Sequence, residues 1–219
     1  DFLGLKSVVT SHTIDDMIVV MPKKVEDDTV ISTLGGFIGD ISVRRFIMED
    51  PVLTIGFRDY TGREPLKSIS WTQSAKTNRL QVKQYDYTVD NNVAVLLNLH
   101  GGTVAQKEHC LSLVRTACEE LEKNHIPYEF LSNADVGNMP EGFGTTHLNF
   151  LMTRLGKSSL TAFYSFDSLV DECARKHRNN RSYILITPPL DQNGMETLAR
   201  LKRISDLEPC VLTGGGEPS

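Results

Sequence analysis

Two patterns of apolar residues divide this chain near its middle. From Ile18 to Tyr60 the apolar positions come as short β-branched runs, "MIVVMP", "TVIST" and "VLTIGF", broken by Gly, Pro and Asp. Such runs favour strands, and their spacing predicts a small antiparallel β module. Between them "LGGFIGD" places three glycines in five residues. That density disfavours any regular element, so a loop is expected there.

After Tyr87 the period changes. "VAVLLNL", Val93 to Leu99, is a continuous apolar run of strand length, as a strand buried on both faces requires. Leu111, Val114, Ala117, Cys118 and Leu121 then recur at helical spacing. "IPYEFLS" reads as a strand, and "THLNFLMTRLG" as a helix closed by Gly156. "FDSLVDECARKHRNN" reads as a helix, "SYILIT" as a strand, "METLARLKRI" as a helix and "EPCVLTG" as a last strand. Strands alternating with helices of ten or more residues predict a parallel sheet with crossover helices. The expected architecture is α/β: a β module over 1–86, then a Rossmann-like parallel-sheet domain over 87–219. "GGGEPS" reads as a frayed tail.

The 219 residues suffice for one large domain or two small ones, and the net charge is −5. An acidic balance argues against nucleic acid as a partner, because phosphate binding is driven by basic surface. The basic run "RKHRNNR", Arg175 to Arg181, is expected to close a helix, where cations suit the negative end of the dipole. Cys110, Cys118, Cys173 and Cys210 form no CxxC pair, which suits reduced thiols rather than a disulfide framework or zinc site. No apolar run approaches the roughly 20 residues of a membrane span. The chain begins "DFLGLK" without Met, so it is expected to be a piece of something longer.

Sites in parallel α/β sheets form outside the carboxyl ends of the strands. Here the first such end is "NLHGG", Asn98 to Gly102. It offers an amide, an imidazole and a Gly pair, but no GxGxxG or Walker pattern. His100 is a candidate base or ligand. His109 and Cys110 are a candidate Cys/His pair, set against the commoner reading of a surface His beside a buried thiol. Asp135, Glu141 and Asp191 are expected to be solvated loop carboxylates, and Thr145 or Thr146 to cap the helix that follows "GFG". No cofactor is expected.

The densest stretch of the chain is Phe57 to Asp86, where six Lys/Arg surround the only Trp. Its Arg58, Tyr60, Glu64, Lys67, Ile69, Trp71, Ser74, Ala75, Lys76 and Leu80 resemble the signature of the bacterial family called domain of unknown function 58. That signature runs Arg-x-Tyr, Gly-Asp, Arg-x-Ile-Asp-Trp and Ser-Ala-Arg. This chain departs from it with Arg63 at the Gly position, and with Glu64, Lys67, Ser70 and Lys76 for its Asp, Arg, Asp and Arg. "DFLGL" is similar to the segment that follows the family's membrane hairpin, and "IVVMP" to its first strand.

The resemblance implies that 87–219 is a von Willebrand factor A-like domain. It also implies a parent held at the cell membrane by an N-terminal anchor absent from this chain, with the soluble part on the cytoplasmic side. The implied partner is a MoxR-type AAA+ ATPase. Metal-binding von Willebrand A domains carry Asp-x-Ser-x-Ser where this chain has Asn98, His100 and Gly102, and a further Asp after the strand matching "SYILIT", where Thr187-Pro188-Pro189 stand and Asp191 comes late. Metal-dependent adhesion is therefore not expected.

Within the motif, Trp71 is expected to be buried with Ile69 and Leu80, and Arg58, Glu64, Lys67 and Lys76 to form ion pairs. The expected function is a non-enzymatic scaffold. The alternative is a hydrolase or transferase using His100 or the Cys/His pair.

Overall fold

Strand β3 (Asn92–Leu97) is the centre of the molecule, and Val93 to Leu97 are almost completely buried. The structure, a computed structural model, describes residues 19–47, 54–62, 65–85, 92–175 and 181–215. On either side of β3 lie β4 (Tyr128–Ser132) and β6 (Arg181–Thr187), both parallel to it. Beyond them come β5 (Met139–Gly142), antiparallel to β4, and β7 (Cys210–Thr213), parallel to β6. The order is β5-β4-β3-β6-β7. Counted from β3 as the first strand, it reads 3-2-1-4-5, a doubly wound order whose reversal falls between β3 and β6.

Alternate residues of each strand feed different layers. Val93, Val95 and Leu97 pack with α1 (Asp28–Ile47), α3 (Val104–Lys123) and α4 (Thr145–Gly156). Ala94 and Leu96 face α5 (Phe166–Arg175) and α6 (Gln192–Ile204). The result is the expected α/β arrangement with helices on both faces of a mostly parallel sheet.

The N-terminal third differs from its expected form. "TVIST" is not a strand and "LGGFIGD" is not a loop; both lie within α1. Leu34, Phe37, Ile38 and Ile41 follow the i, i+3, i+4, i+7 pattern and are buried. Gly35, Gly36 and Gly39 fall on the outer side, where a Cβ would meet nothing within 4 Å. Burial of the apolar stripe thus outweighs the roughly 1 kcal/mol that each interior glycine costs relative to Ala. Asp27 accepts a hydrogen bond from the Thr29 amide at 2.7 Å and starts the helix. Although α1 precedes residue 86, its apolar side belongs to the sheet core.

The described part of "MIVVMP" pairs with no strand. It runs along α3, where the Arg115 guanidinium donates to the Pro22 carbonyl at 2.8 Å and Thr116 Oγ1 accepts from the Val25 amide at 3.0 Å. Gly156 ends α4 without the left-handed turn expected of a closing glycine. A Cβ there would stand 2.5 Å from the Val20 carbonyl oxygen, so its role is close approach.

Two smaller expectations also change. Gly144, not Thr145 or Thr146, caps α4, and its amide donates to both carboxylate oxygens of Glu122 at 3.1 and 2.9 Å. Arg181 does not continue the end of α5; it opens β6, buried and ion-paired with Glu129 of β4. Residues 176–180 of that basic run lie outside the described residues.

A separate antiparallel pair, β1 (Thr54–Asp59) with β2 (Gln81–Tyr85), carries the motif between its strands. A 3-10 turn (Leu66–Ser68) and α2 (Trp71–Thr77) connect them, and α2 packs on β2.

Candidate functional site

Three strand ends meet at the carboxyl edge of the sheet, and each supplies one neutral polar side chain. Asn98 follows β3, Asn133 follows β4 and Thr187 ends β6; all are buried. Asn98 Nδ2 donates to Thr187 Oγ1 at 2.8 Å. Asn98 Oδ1 accepts from Asn133 Nδ2 at 2.8 Å and from the His100 amide at 3.0 Å. Asn133 Oδ1 accepts from the Leu99 amide at 2.9 Å, and its Nδ2 also donates to the Tyr164 carbonyl at 3.1 Å. Thr187 Oγ1 donates onward to the Pro188 carbonyl at 3.0 Å.

Both ends of the Asn98 amide are therefore committed to neighbours, and every partner is neutral. The Asn98 side chain is a tie between three strand ends. A hard cation needs several outward-facing oxygens, which this arrangement does not present. Among the described residues no three His, Cys, Asp or Glu side chains gather at metal-binding distance.

Above the tie lies a cleft of about 320 Å³, bordered by His100, Gly102, Ser165, Asp167, Asp191 and Thr197. Three helices start around it, and each is capped from within the chain. Thr103 and Gln106 form a capping box on α3, the Ser168 amide donates to Ser165 Oγ on α5, and the Gly194 amide donates to Asp191 on α6. Asp191 is thus a helix cap rather than a free loop carboxylate. Asp167 is engaged by the Thr197 hydroxyl and by Arg200, which also pairs with Asp171. His100 is exposed. Gly102 has φ +71°, and a Cβ there would stand 2.5 Å from Pro188 Cβ, so it lets the β3–α3 loop lie against the end of β6.

The other candidates are scattered. Asp135 receives hydrogen bonds from the Ser158 hydroxyl and from the amide and hydroxyl of Ser159. Partial burial opposes its charge, but those bonds outweigh it and hold its carboxyl below the ordinary value. Glu141 lies on the edge strand β5, an element that "MPEG" does not suggest, although Pro140 is tolerated on an edge. His109 is half buried rather than superficial, and Cys110 is fully buried as expected. Burial pushes the Cys110 thiol up to about 12, against a weaker opposing hydrogen bond from the Gly214 backbone. A thiol so raised is a poor nucleophile near neutral pH.

The carboxyl edge also exposes large apolar side chains. Val104 in the first turn of α3, Phe163 just before α5 and Met195 in the first turn of α6 are all large and open to solvent. Val104 and Met195 stand in the helices that follow β3 and β6, and Phe163 lies in the connection between α4 and α5. Sequence reasoning centred on Asn98, His100 and Gly102 missed them, and it missed Asn133.

The motif residues occupy the β1–α2–β2 unit. Arg58 is on β1, Tyr60 just after it, Lys67 in the 3-10 turn, and Ser74 and Lys76 in α2; Glu64 lies outside the described residues. Ile69 is buried and forms a bridge with Val82 of β2. Ser74 is the pin of the unit: its hydroxyl donates to the Ser70 carbonyl and accepts from the Gln81 amide, both at 2.8 Å. The Ser70 amide also donates to the Gln81 carbonyl at 2.8 Å.

Trp71 is not buried. It stands 66% exposed, and Leu80 is exposed as well. Ile69, Ser70, Gln81 and Val82 already fill the small interior of a two-stranded sheet, which leaves no room for an indole. Of the expected ion pairs, those of Lys67 and Lys76 are absent among the described residues. Arg79 instead pairs with Asp59 at 3.9 Å.

No family model, curated protein or solved structure matches this chain.

Proposed function

We propose that this chain is a protein-interaction module whose docking surface is the carboxyl edge of the five-stranded sheet. The observation that carries the reading is the exposure of Val104, Phe163 and Met195 above a polar tie that is satisfied within the chain. Catalytic edges direct unsatisfied polar groups outward, whereas binding surfaces set apolar anchors in the middle of a polar rim. The strand order and the place of Asn98 at the reversal support a von Willebrand factor A-like fold with a degenerate metal position. The motif likeness supports a parent anchored in a bacterial membrane, with this part on the cytoplasmic side and a MoxR-type AAA+ ATPase as partner.

The test is titration calorimetry of the chain against a purified MoxR-type ATPase, with a Val104→Asp, Phe163→Asp, Met195→Asp triple variant beside the wild type. Binding by the wild type and at least tenfold weakening in a variant of unchanged melting temperature are expected. Equal binding by both chains, or none by the wild type, overturns the reading.

A further inference from the structure

The outward side of the motif is the second unexplained surface. On α2, Ser70, Ser74 and the half-buried Gln73 turn toward β2, while Trp71, Thr72, Ala75 and Lys76 are exposed. Positions 71 and 75, like 72 and 76, are one turn apart, so these four residues share a face. The 3-10 turn adds Leu66, 68% exposed, and Lys67 beside it. Leu80 and Arg79 follow the left-handed turn at Asn78 and are exposed too.

Charge separates this unit from the rest of the molecule. Residues 54–85 hold Arg58, Arg63, Lys67, Lys76, Arg79 and Lys83 against Asp59 and Glu64, a net +4 in a chain of net −5. An indole and a leucine exposed among unpaired lysines match the chemistry of a bilayer interface. There Trp sits at headgroup depth, and Lys and Arg meet anionic lipids.

We propose that the face formed by Leu66, Lys67, Trp71, Lys76 and Arg79 lies against an anionic bilayer surface. Trp71 and Leu66 enter the headgroup layer, while the cations meet its phosphates. The association is peripheral and reversible, because it inserts two apolar side chains and no spanning helix. It needs neither the ATPase nor a membrane anchor, so its test is independent of the partner-binding reading.

Trp71 is the only tryptophan and reports directly. The chain is mixed with vesicles of phosphatidylcholine alone or of phosphatidylcholine with phosphatidylglycerol, and followed by fluorescence and co-sedimentation. Mixed vesicles are expected to blue-shift the emission, shield it from acrylamide and carry the protein into the pellet; added salt reverses all three. Lys67→Glu with Lys76→Glu should weaken sedimentation by at least about tenfold, given roughly 1 kcal/mol per cation at an anionic surface. Trp71→Ala, read by sedimentation alone, should weaken it as well, with circular dichroism showing that both variants remain folded.

An unshifted spectrum with mixed vesicles overturns the proposal, as does equal binding to phosphatidylcholine alone. A shift produced by polyglutamate or a single-stranded oligonucleotide but not by vesicles overturns it too, and assigns the face to an acidic polypeptide or to nucleic acid.

Discussion

Asn98 is a polar amide at the edge of a sheet, yet it is 1% exposed; Trp71 is an indole in a folded unit, yet it is 66% exposed. The two regions invert the usual assignment of polar and apolar side chains, and for different reasons. At the carboxyl edge three strands end together, so a buried amide is satisfied on every side by groups already in place. Burial is then tolerable, because the desolvation cost is offset by hydrogen bonds. The β1–α2–β2 unit has two strands and one short helix, and its interior is full once Ile69 and Val82 are inside. The size of the enclosing unit, more than the polarity of the residue, decides which side chain is covered.

Asn98→Ala is the harshest test of this contrast. It removes one hydrogen bond each from Thr187, Asn133 and the His100 amide, and each buried group left short of a partner costs about 1–3 kcal/mol. A loss of at least about 3 kcal/mol in urea unfolding is expected; less than 1 would mean that water replaces the amide without penalty. Ile69→Ala comes next, at about 2–4 kcal/mol for a buried β-branched side chain in a small interior. It should exceed Trp71→Ala by several fold, and the reverse ranking would return the indole to the core.

Alkali provides a graded test of the large core. Burial raises the Cys110 thiol to about 12 and the Cys210 thiol to about 11, from an ordinary 9.0. Folding therefore favours the protonated form. The stability linked to these thiols is intact below pH 9 and is lost as pH climbs toward the folded values. The loss should be on the order of 1 kcal/mol per thiol by pH 10, and Cys110→Ala with Cys210→Ala should flatten the slope. A profile unchanged by both substitutions would break the account. The smallest effect belongs to Trp71→Ala, less than about 0.5 kcal/mol by urea unfolding, as for other exposed substitutions.

The parallel part of the fold was legible because its signal is periodic and long. Val93 to Leu99 and the strands and helices after it stand within a few residues of where the apolar pattern put them. Helix α1 was missed because three glycines and the β-branched "TVIST" masked the stripe of Leu34, Phe37, Ile38 and Ile41. Only the tertiary contact shows which side of those glycines faces out. At the candidate site, the sequence marked Asn98, His100 and Gly102 at one strand end. It gave no access to Asn133, which joins the tie from another strand through a contact 35 residues away in sequence. Trp71 was misread for a complementary reason: its chemistry predicts burial, but whether a unit has room inside is a property of the whole unit.

Helix α1 also sets a timetable for the molecule as it is made. Its apolar side rests on β7, the last strand of the sheet. Translation proceeds at about 5–20 residues per second, so the helix segment waits on the order of ten seconds or more for that partner to emerge. Through that interval Leu34, Phe37, Ile38 and Ile41 lack the strand on which they come to rest. The nascent chain thus carries an adhesive segment from the making of α1 to that of β7, and closing the fold joins two elements far apart in sequence. A truncation that removes β7 should leave that segment open to chaperones and to other nascent chains.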